Sequence, residues 1–113
     1  MEISKIYSGA WLELYPVDEK IGPVRLLMVP VPSDFPIPKD TDNKTWIDFM
    51  AQFVIGWNLE DGGVAIDCTD ENKAKYLGYL IRLLVKGEEG QEPEAAAGRI
   101  VRFAVSIDNF LKN

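Results

Sequence analysis

Apolar residues alternate with polar ones near the start of the chain and recur at helical spacing toward its end, so the sequence predicts strands first and helices after. In Ala10-Trp11-Leu12-Glu13-Leu14-Tyr15 a period of two sets Leu12 and Leu14 on one face and Trp11, Glu13 and Tyr15 on the other. That is the pattern of a half-buried strand over 10–15. A second strand is predicted over 24–31, where Val24-Arg25-Leu26-Leu27-Met28-Val29-Pro30-Val31 is nearly all apolar. Between the two, Pro16 and Pro23 bracket a polar link containing Asp18, Glu19, Lys20 and Gly22, which makes an antiparallel hairpin the economical pairing.

Pro30, Pro32, Pro36 and Pro38 then fix φ and remove amide donors, so neither a helix nor a central strand continues through them. The segment reads as a stiff connector, covered on one side by Phe35 and Ile37. A first helix is predicted over 42–56, capped by Asp42, striped by Trp46, Phe49, Met50, Phe53, Val54 and Trp57, and stopped at Gly56. Glu60-Asp61-Gly62-Gly63 signals a turn, and Val64-Ala65-Ile66-Asp67-Cys68 a short strand. Thr69 or Asp70 caps a second helix over 70–86, with Tyr76, Leu77, Leu80, Ile81, Leu84 and Val85 as its apolar stripe and Gly87 as its stop. After an acidic loop, Pro93 suits the first position of a third helix over 93–111. The expected fold is therefore α+β, a single domain over 1–113. Residues 1–38 form an N-terminal antiparallel β-hairpin and proline-rich connector, and 39–113 supply about three α-helices packed on it. The expected core is Trp46, Phe49, Phe53, Leu77, Leu80, Ile81, Ile100, Phe103 and Ile107.

Composition narrows the chemistry. Twelve basic against eighteen acidic residues leave a net charge of −6, which provides no electrostatic footprint for nucleic acid or an anionic membrane. No histidine and a single cysteine, Cys68, remove the commonest general base, the usual zinc ligand sets and an intrachain disulfide. The carboxylates cluster as Asp40 with Asp42, Glu60 with Asp61, and Asp67 with Asp70 and Glu71, where capping and turn roles account for them. Asp40 and Asp42 do not open a calcium loop, because Lys44 and Thr45 stand where an oxygen ligand and the turn glycine belong. Ser4, Ser8, Ser33 and Ser106 have no histidine to activate them, and none stands in a nucleophile elbow. The chain carries no catalytic, cofactor-binding or metal-ligating set, and a cytoplasmic location is expected from the absence of an apolar N-terminal stretch or of a run of about eighteen apolar residues.

Surface apolarity points instead to protein contacts. The third helix carries one stripe through Ala96, Ile100, Phe103, Ala104, Ile107 and Leu111, and a second through Ala97, Val101 and Val105. Apolarity that wide needs cover on two sides, so a homo-oligomer is expected. Tyr79 and Leu83, off the main stripe of the second helix, join Val101 and Val105 as the expected client or self-contact residues.

The run Phe53-Val54-Ile55-Gly56-Trp57-Asn58-Leu59-Glu60-Asp61-Gly62-Gly63-Val64-Ala65-Ile66, followed by Thr69-Asp70-Glu71-Asn72, resembles the phage tail assembly chaperones. In that family a helix ends in a Gly-Trp-like step, an acidic-glycine turn and a short apolar stretch follow, and a Thr/Ser-x-Glu-Asn sequence starts the next helix. The hairpin from Gly9-Ala10-Trp11-Leu12-Glu13-Leu14 also looks like the family's N-terminal portion, so the resemblance covers roughly residues 5 to 85. It departs from the pattern at Ala65, where a proline is frequent, and in the proline-rich connector. The resemblance implies a non-enzymatic virion-assembly factor that covers the tape measure protein and helps to recruit tail tube proteins. A reading from a different class is an acidic inhibitor or DNA-mimic module that binds a basic host protein by charge complementarity, which calls for carboxylates on rigid elements, whereas the acidity here is concentrated mainly in the Glu88 to Glu94 loop.

Many chaperones of that family also have a longer form made by programmed ribosomal frameshifting. The chain ends in Lys112-Asn113, a pair that the slippery heptamer A-AAA-AAC encodes. The expectation is such a run near codons 111 to 113 with an overlapping frame downstream, and sequencing that finds neither removes the longer form.

Overall fold

Side-chain alternation in the first two strands builds the framework on which everything else packs. In the computed structural model, which describes residues 9–30, 38–39 and 42–112 and leaves aside the side chains of Val105 and of 107–112, β1 spans Ala10–Leu14 and β2 spans Val24–Met28. They pair antiparallel from Ala10 opposite Met28 to Leu14 opposite Val24, as the hairpin reading requires. Leu12, Leu14, Val24, Leu26 and Met28 are buried on the inner face, while Trp11, Glu13 and Arg25 face water. The connector and its Phe35 and Ile37 lie outside the described residues.

The first helix is shorter than its apolar spacing predicts. α1 spans Asn43–Ala51, with the Asp42 carboxylate accepting from the Lys44 amide at its N-cap. Beyond Ala51 the chain tightens, the amides of Gln52 and Phe53 bonding the carbonyls three residues back at 3.3 and 3.0 Å. It then enters a third strand, β3, over Val54–Trp57. The prediction of helix through residue 56, with Gly56 as its stop, is thus corrected: Gly56 is a strand residue opposite Leu27. The physical reason lies on the neighbouring strand, where β2 has a free edge and the β-branched Val54 and Ile55 suit it. The Val29 amide bonds the Phe53 carbonyl at 2.9 Å and the Asn58 amide bonds the Arg25 carbonyl at 3.2 Å, closing the two ends of the pairing. Ile55 is the extra residue of a bulge between the Leu27–Gly56 and Met28–Val54 pairs. A Cβ at position 56 would stand 3.2 Å from that of Leu27, so the close approach of β3 to β2 there suits glycine. The sheet order is β1-β2-β3, and the expected division into a hairpin part and a helical part is corrected, since a strand from the second part completes the sheet of the first.

Asn58 extends that pairing with its side chain, which accepts from the Arg25 amide at 2.8 Å and donates to the Pro23 carbonyl at 3.1 Å. A small hairpin follows, β4 over Glu60–Asp61 and β5 over Val64–Ala65, shorter than the strand predicted to Cys68. Its two-residue turn places Gly62 and Gly63 at φ of 60° and 82°, the positive values that a hairpin turn with the twist of its strands demands.

α2 spans Asp70–Arg82, started by Thr69, whose hydroxyl accepts from the Asn72 amide at 3.2 Å. The predicted continuation to residue 86 is corrected: Leu84–Val85 forms a strand, β6, paired with β7 over Glu94–Ala95. The backbone just past β1 captures β6 in the same way, the Val17 amide bonding the Leu84 carbonyl at 3.0 Å and the Lys86 amide the Tyr15 carbonyl at 2.7 Å. Pro16 bridges Val85 between them and is buried. Because Glu94 and Ala95 belong to this ribbon, α3 begins at Ala96 and not at Pro93, and runs to Lys112. The Ala96 amide bonds the Leu83 carbonyl at 2.8 Å, so the end of α2 is tied directly to the start of α3.

α1 packs on α2, and α3 packs on both α2 and β1. Of the predicted core, Phe49, Phe53, Leu77, Leu80 and Ile100 are buried, Trp46, Ile81 and Phe103 are half-buried against it, and the Ile107 side chain lies outside the described set. Lys73 is the buried charged residue, only 9% exposed, and its Nζ donates to the Ala51 carbonyl at 3.1 Å, closing the C-terminal end of α1. Among the described residues no buried side-chain nitrogen or oxygen lacks a hydrogen-bond partner.

Phe53 is 6% exposed and its ring centroid lies 5.2 Å from that of Phe49. Phe53→Ala is expected to lower stability by about 3–5 kcal/mol in a denaturant melt, the loss typical of a large aromatic removed from a packed core.

Candidate functional site

Among the described residues, exposed apolar side chains combine with a concave or charged setting on at least three surfaces. The first is an apolar groove of about 500 Å³ where α1, α2 and the ribbon leading into α3 converge. Trp46 comes from the first turn of α1 and Ile81 from the last turn of α2, with Ala97, Gly98 and Val101 from the start of α3. The residues at the entry to α3 are small, Ala95, Ala96, Ala97 and Gly98 in succession, and all but the buried Ala96 line the groove together with Trp46. Arg102 forms a polar end, its guanidinium paired with the Glu94 carboxylate.

The second surface lies on another face of α2, a cleft of about 370 Å³ between that helix and the β4–β5 hairpin. Tyr76 and Tyr79 line it with their rings tilted at 43° and centroids 6.2 Å apart, and Trp57 backs Tyr76 edge-on at 6.4 Å. The Trp57 indole is fixed by donating from Nε1 to the Ile66 carbonyl at 2.7 Å. Lys75 places its Nζ 5.0 Å from the centroid of Tyr76, and Glu60 and Asp61 stand on the hairpin side.

The third is the outer face of the sheet. Trp11, 56% exposed, lies beside Glu13 and Arg25, whose Nε donates to Oε1 of Glu13 at 2.8 Å. Tyr15 donates its hydroxyl to the other oxygen of the same carboxylate, also at 2.8 Å. These two bonds, the tyrosine's first and the arginine's second, hold the Glu13 carboxyl below its ordinary range, and the same tyrosine bond raises the pKa of the phenol.

The expected contact residues are not brought to one surface. Val101 lines the apolar groove, and Tyr79, 69% exposed, lines the aromatic cleft. Leu83 ends α2 in an extended conformation and packs half-buried against the core, while the Val105 side chain lies outside the described set. Trp46 and Ile81, which helical spacing assigns to the core, prove to be the walls of the groove. Gly98, Glu60, Asp61 and Lys75 carry no periodic signal and become site residues only because separate elements meet. The acidic loop is partly neutralised, since Glu88 lies 3.7 Å from Arg99 and Glu94 pairs with Arg102.

Reactive groups are few. The Cys68 thiol is half-buried, and burial raises its pKa above the ordinary value against a smaller opposing influence of Lys73, which keeps it protonated and a poor nucleophile at neutral pH. Among the described residues no group of three or more carboxylate, thiol or imidazole side chains converges to hold a metal, and no helix is long and apolar enough to cross a membrane. Comparison with protein-family models, curated proteins and solved structures finds no match to this chain.

The Glu13 network sets a pH dependence with a definite sign. A carboxyl whose folded pKa is depressed contributes stability above its unfolded value, about 4.3 for glutamate, and loses it as the pH falls through the folded value. Tyr15→Phe is expected to move the Glu13 titration upward toward that ordinary value. A carboxyl-carbon NMR titration reads the shift directly, and an unchanged midpoint would remove Tyr15 from the network.

Proposed function

We propose that this chain is a non-enzymatic tail assembly chaperone that binds and solubilises a helical segment of a phage tape measure protein during tail assembly. The observation that carries the reading is the groove formed by Trp46, Ile81, Ala97, Gly98 and Val101. An amphipathic helix is recognised by laying its apolar side chains into such a groove, and small residues on the receiving helix let the two backbones approach closely. A long helical client repeats its apolar face along its length and so takes many copies of a small subunit, each contributing modest affinity. The excess of acidic over basic residues keeps those copies soluble while their grooves are empty.

The order of the Gly56-Trp57 step, the Glu60 to Gly63 turn and the Thr69 helix start supports the same reading, because these residues resemble the corresponding stretch of the tail assembly chaperones. In this role the protein works in the bacterial host cytoplasm, self-associates through the wide apolar surface of α3, and helps to deliver tail tube proteins to the covered tape measure. The acidic-mimic reading has less support, since two carboxylates of the 88–94 segment are taken up by Arg99 and Arg102.

Val101→Glu places a charge in the groove and is expected to weaken binding of the tape measure protein encoded by the same phage about tenfold or more, the loss typical of a central interface position. Ile21→Ser, in the exposed β1–β2 link, should leave binding unchanged. Co-expression followed by light scattering and calorimetry measures both the complex and the size of the free oligomer. Equal affinity of the Val101→Glu variant and the parent would remove the groove from client binding.

A further inference from the structure

The cleft between α2 and the β4–β5 hairpin has a chemistry distinct from the apolar groove. Its wall is aromatic, with Tyr79 largely exposed beside Tyr76, and its lip carries Glu60 and Asp61 on a hairpin strand. Among the described residues neither carboxylate has an ion-pair partner, in contrast to Glu13, Glu19, Glu88 and Glu94, each of which is paired with a lysine or arginine. Lys75 already settles a cation over the neighbouring Tyr76 ring, while no cation among the described residues lies over Tyr79. A tyrosine face attracts positive charge through its quadrupole, and nearby carboxylates add to that attraction.

We propose that this cleft binds an arginine side chain presented by a basic segment of a partner protein, the guanidinium stacking on Tyr79 while its donors reach Glu60 and Asp61. Arginine suits the site better than lysine, because a planar guanidinium stacks and donates in its plane at once, whereas an ammonium is a compact, strongly hydrated point charge. The volume of about 370 Å³ is at the small end of the roughly 300–1,000 Å³ common for small-ligand sites, which matches one long side chain rather than the face of a helix. The net charge of −6 favours the approach of a basic segment over longer distances. The site is rigid where it matters: the Trp57 indole is anchored to the Ile66 carbonyl, and Thr69 and Asn72 fix the start of α2 beside the hairpin, Asn72 donating to the Asp67 carbonyl at 2.8 Å. This cleft stands apart from the groove of the proposed chaperone activity, so either site can fail without the other.

The test uses the full chain and a capped peptide, Gly-Ser-Arg-Gly-Arg-Ser-Gly, with a second peptide in which citrulline replaces arginine and removes the charge while keeping the shape. NMR titration with the arginine peptide is expected to move the signals of Glu60, Asp61, Tyr76 and Tyr79 and leave those of Glu89 and Glu92 in place, and the citrulline peptide should not bind. Tyr79→Ala should weaken binding about two- to fivefold, the range for an exposed cation–π contact, whereas Tyr79→Phe should retain it. Glu60→Gln combined with Asp61→Asn should weaken it about three- to tenfold, and Glu89→Gln combined with Glu92→Gln should have no effect. Because Tyr79, Glu60 and Asp61 are exposed, these variants keep the fold. Shifts spread evenly over the acidic surface, equal binding of the citrulline peptide, or an unchanged affinity for Tyr79→Ala would each overturn the proposal.

Discussion

Leu12, Leu14, Val24, Leu26, Met28 and Val54 line one face of a three-stranded sheet, and that face has to be kept from water. Burying each such side chain is worth about 1.5–3 kcal/mol relative to leaving it exposed, far more than any surface ion pair in the molecule contributes. The helices supply the cover through Phe49, Met50, Leu77, Leu80, Ile100 and Ala104. Sheet and helices therefore share one core, in which Lys73 is the one buried charge among the described residues and is satisfied by a helix-end carbonyl. The opposite sheet face carries Trp11, Glu13, Tyr15 and Arg25 in water, which is why the hydrogen bonds there shift titrations without holding the fold together.

The arrangement of the helices follows from a second constraint, the short ribbon of β6 and β7. Backbone bonds from Val17 and to Tyr15 fix β6 to the end of the first strand, and the bond from Ala96 to Leu83 fixes the entry to α3 against the exit of α2. With both ends tied, α2 borders a cleft on each of two sides. Tyr79 and Ile81 are two residues apart, which at about 3.6 residues per turn puts them on nearly opposite sides of the helix, one in the aromatic cleft and one in the apolar groove. A single helix thereby borders two separate clefts. Their chemistry differs because the neighbouring elements differ: an acidic hairpin beside one, and the small residues at the start of α3 beside the other.

Charge is distributed in the same economical way. Glu88 and Glu94 lie against arginines of α3, and Glu19 pairs with Lys86 at 3.0 Å, so these carboxylates steady the ribbon and its loop instead of forming an open acidic surface. Glu60 and Asp61 line the cleft, on a hairpin closed by the Gly62-Gly63 turn.

Local pattern alone determined the α+β class, the β1–β2 hairpin, the cap at Asp42, a cap at Thr69 or Asp70, the Gly62-Gly63 turn and the existence of three helices, because each rests on side-chain periodicity or on hydrogen bonds between residues close in sequence. Buried positions at helical spacing, such as Phe49, Leu77 and Ile100, were legible for the same reason. Where helices gave way to strands, at Val54–Trp57, Leu84–Val85 and Glu94–Ala95, only the tertiary structure decided. In those segments an apolar run satisfies either period, and the outcome depends on a distant strand edge offering backbone partners that local sequence does not reveal. The sites belong to the same category: Tyr79 and Val101 stood out from the sequence as surface apolar residues, but Trp46 in one groove with Gly98, and Tyr79 in one cleft with Glu60 and Asp61, are juxtapositions of separate elements, and only packing creates them.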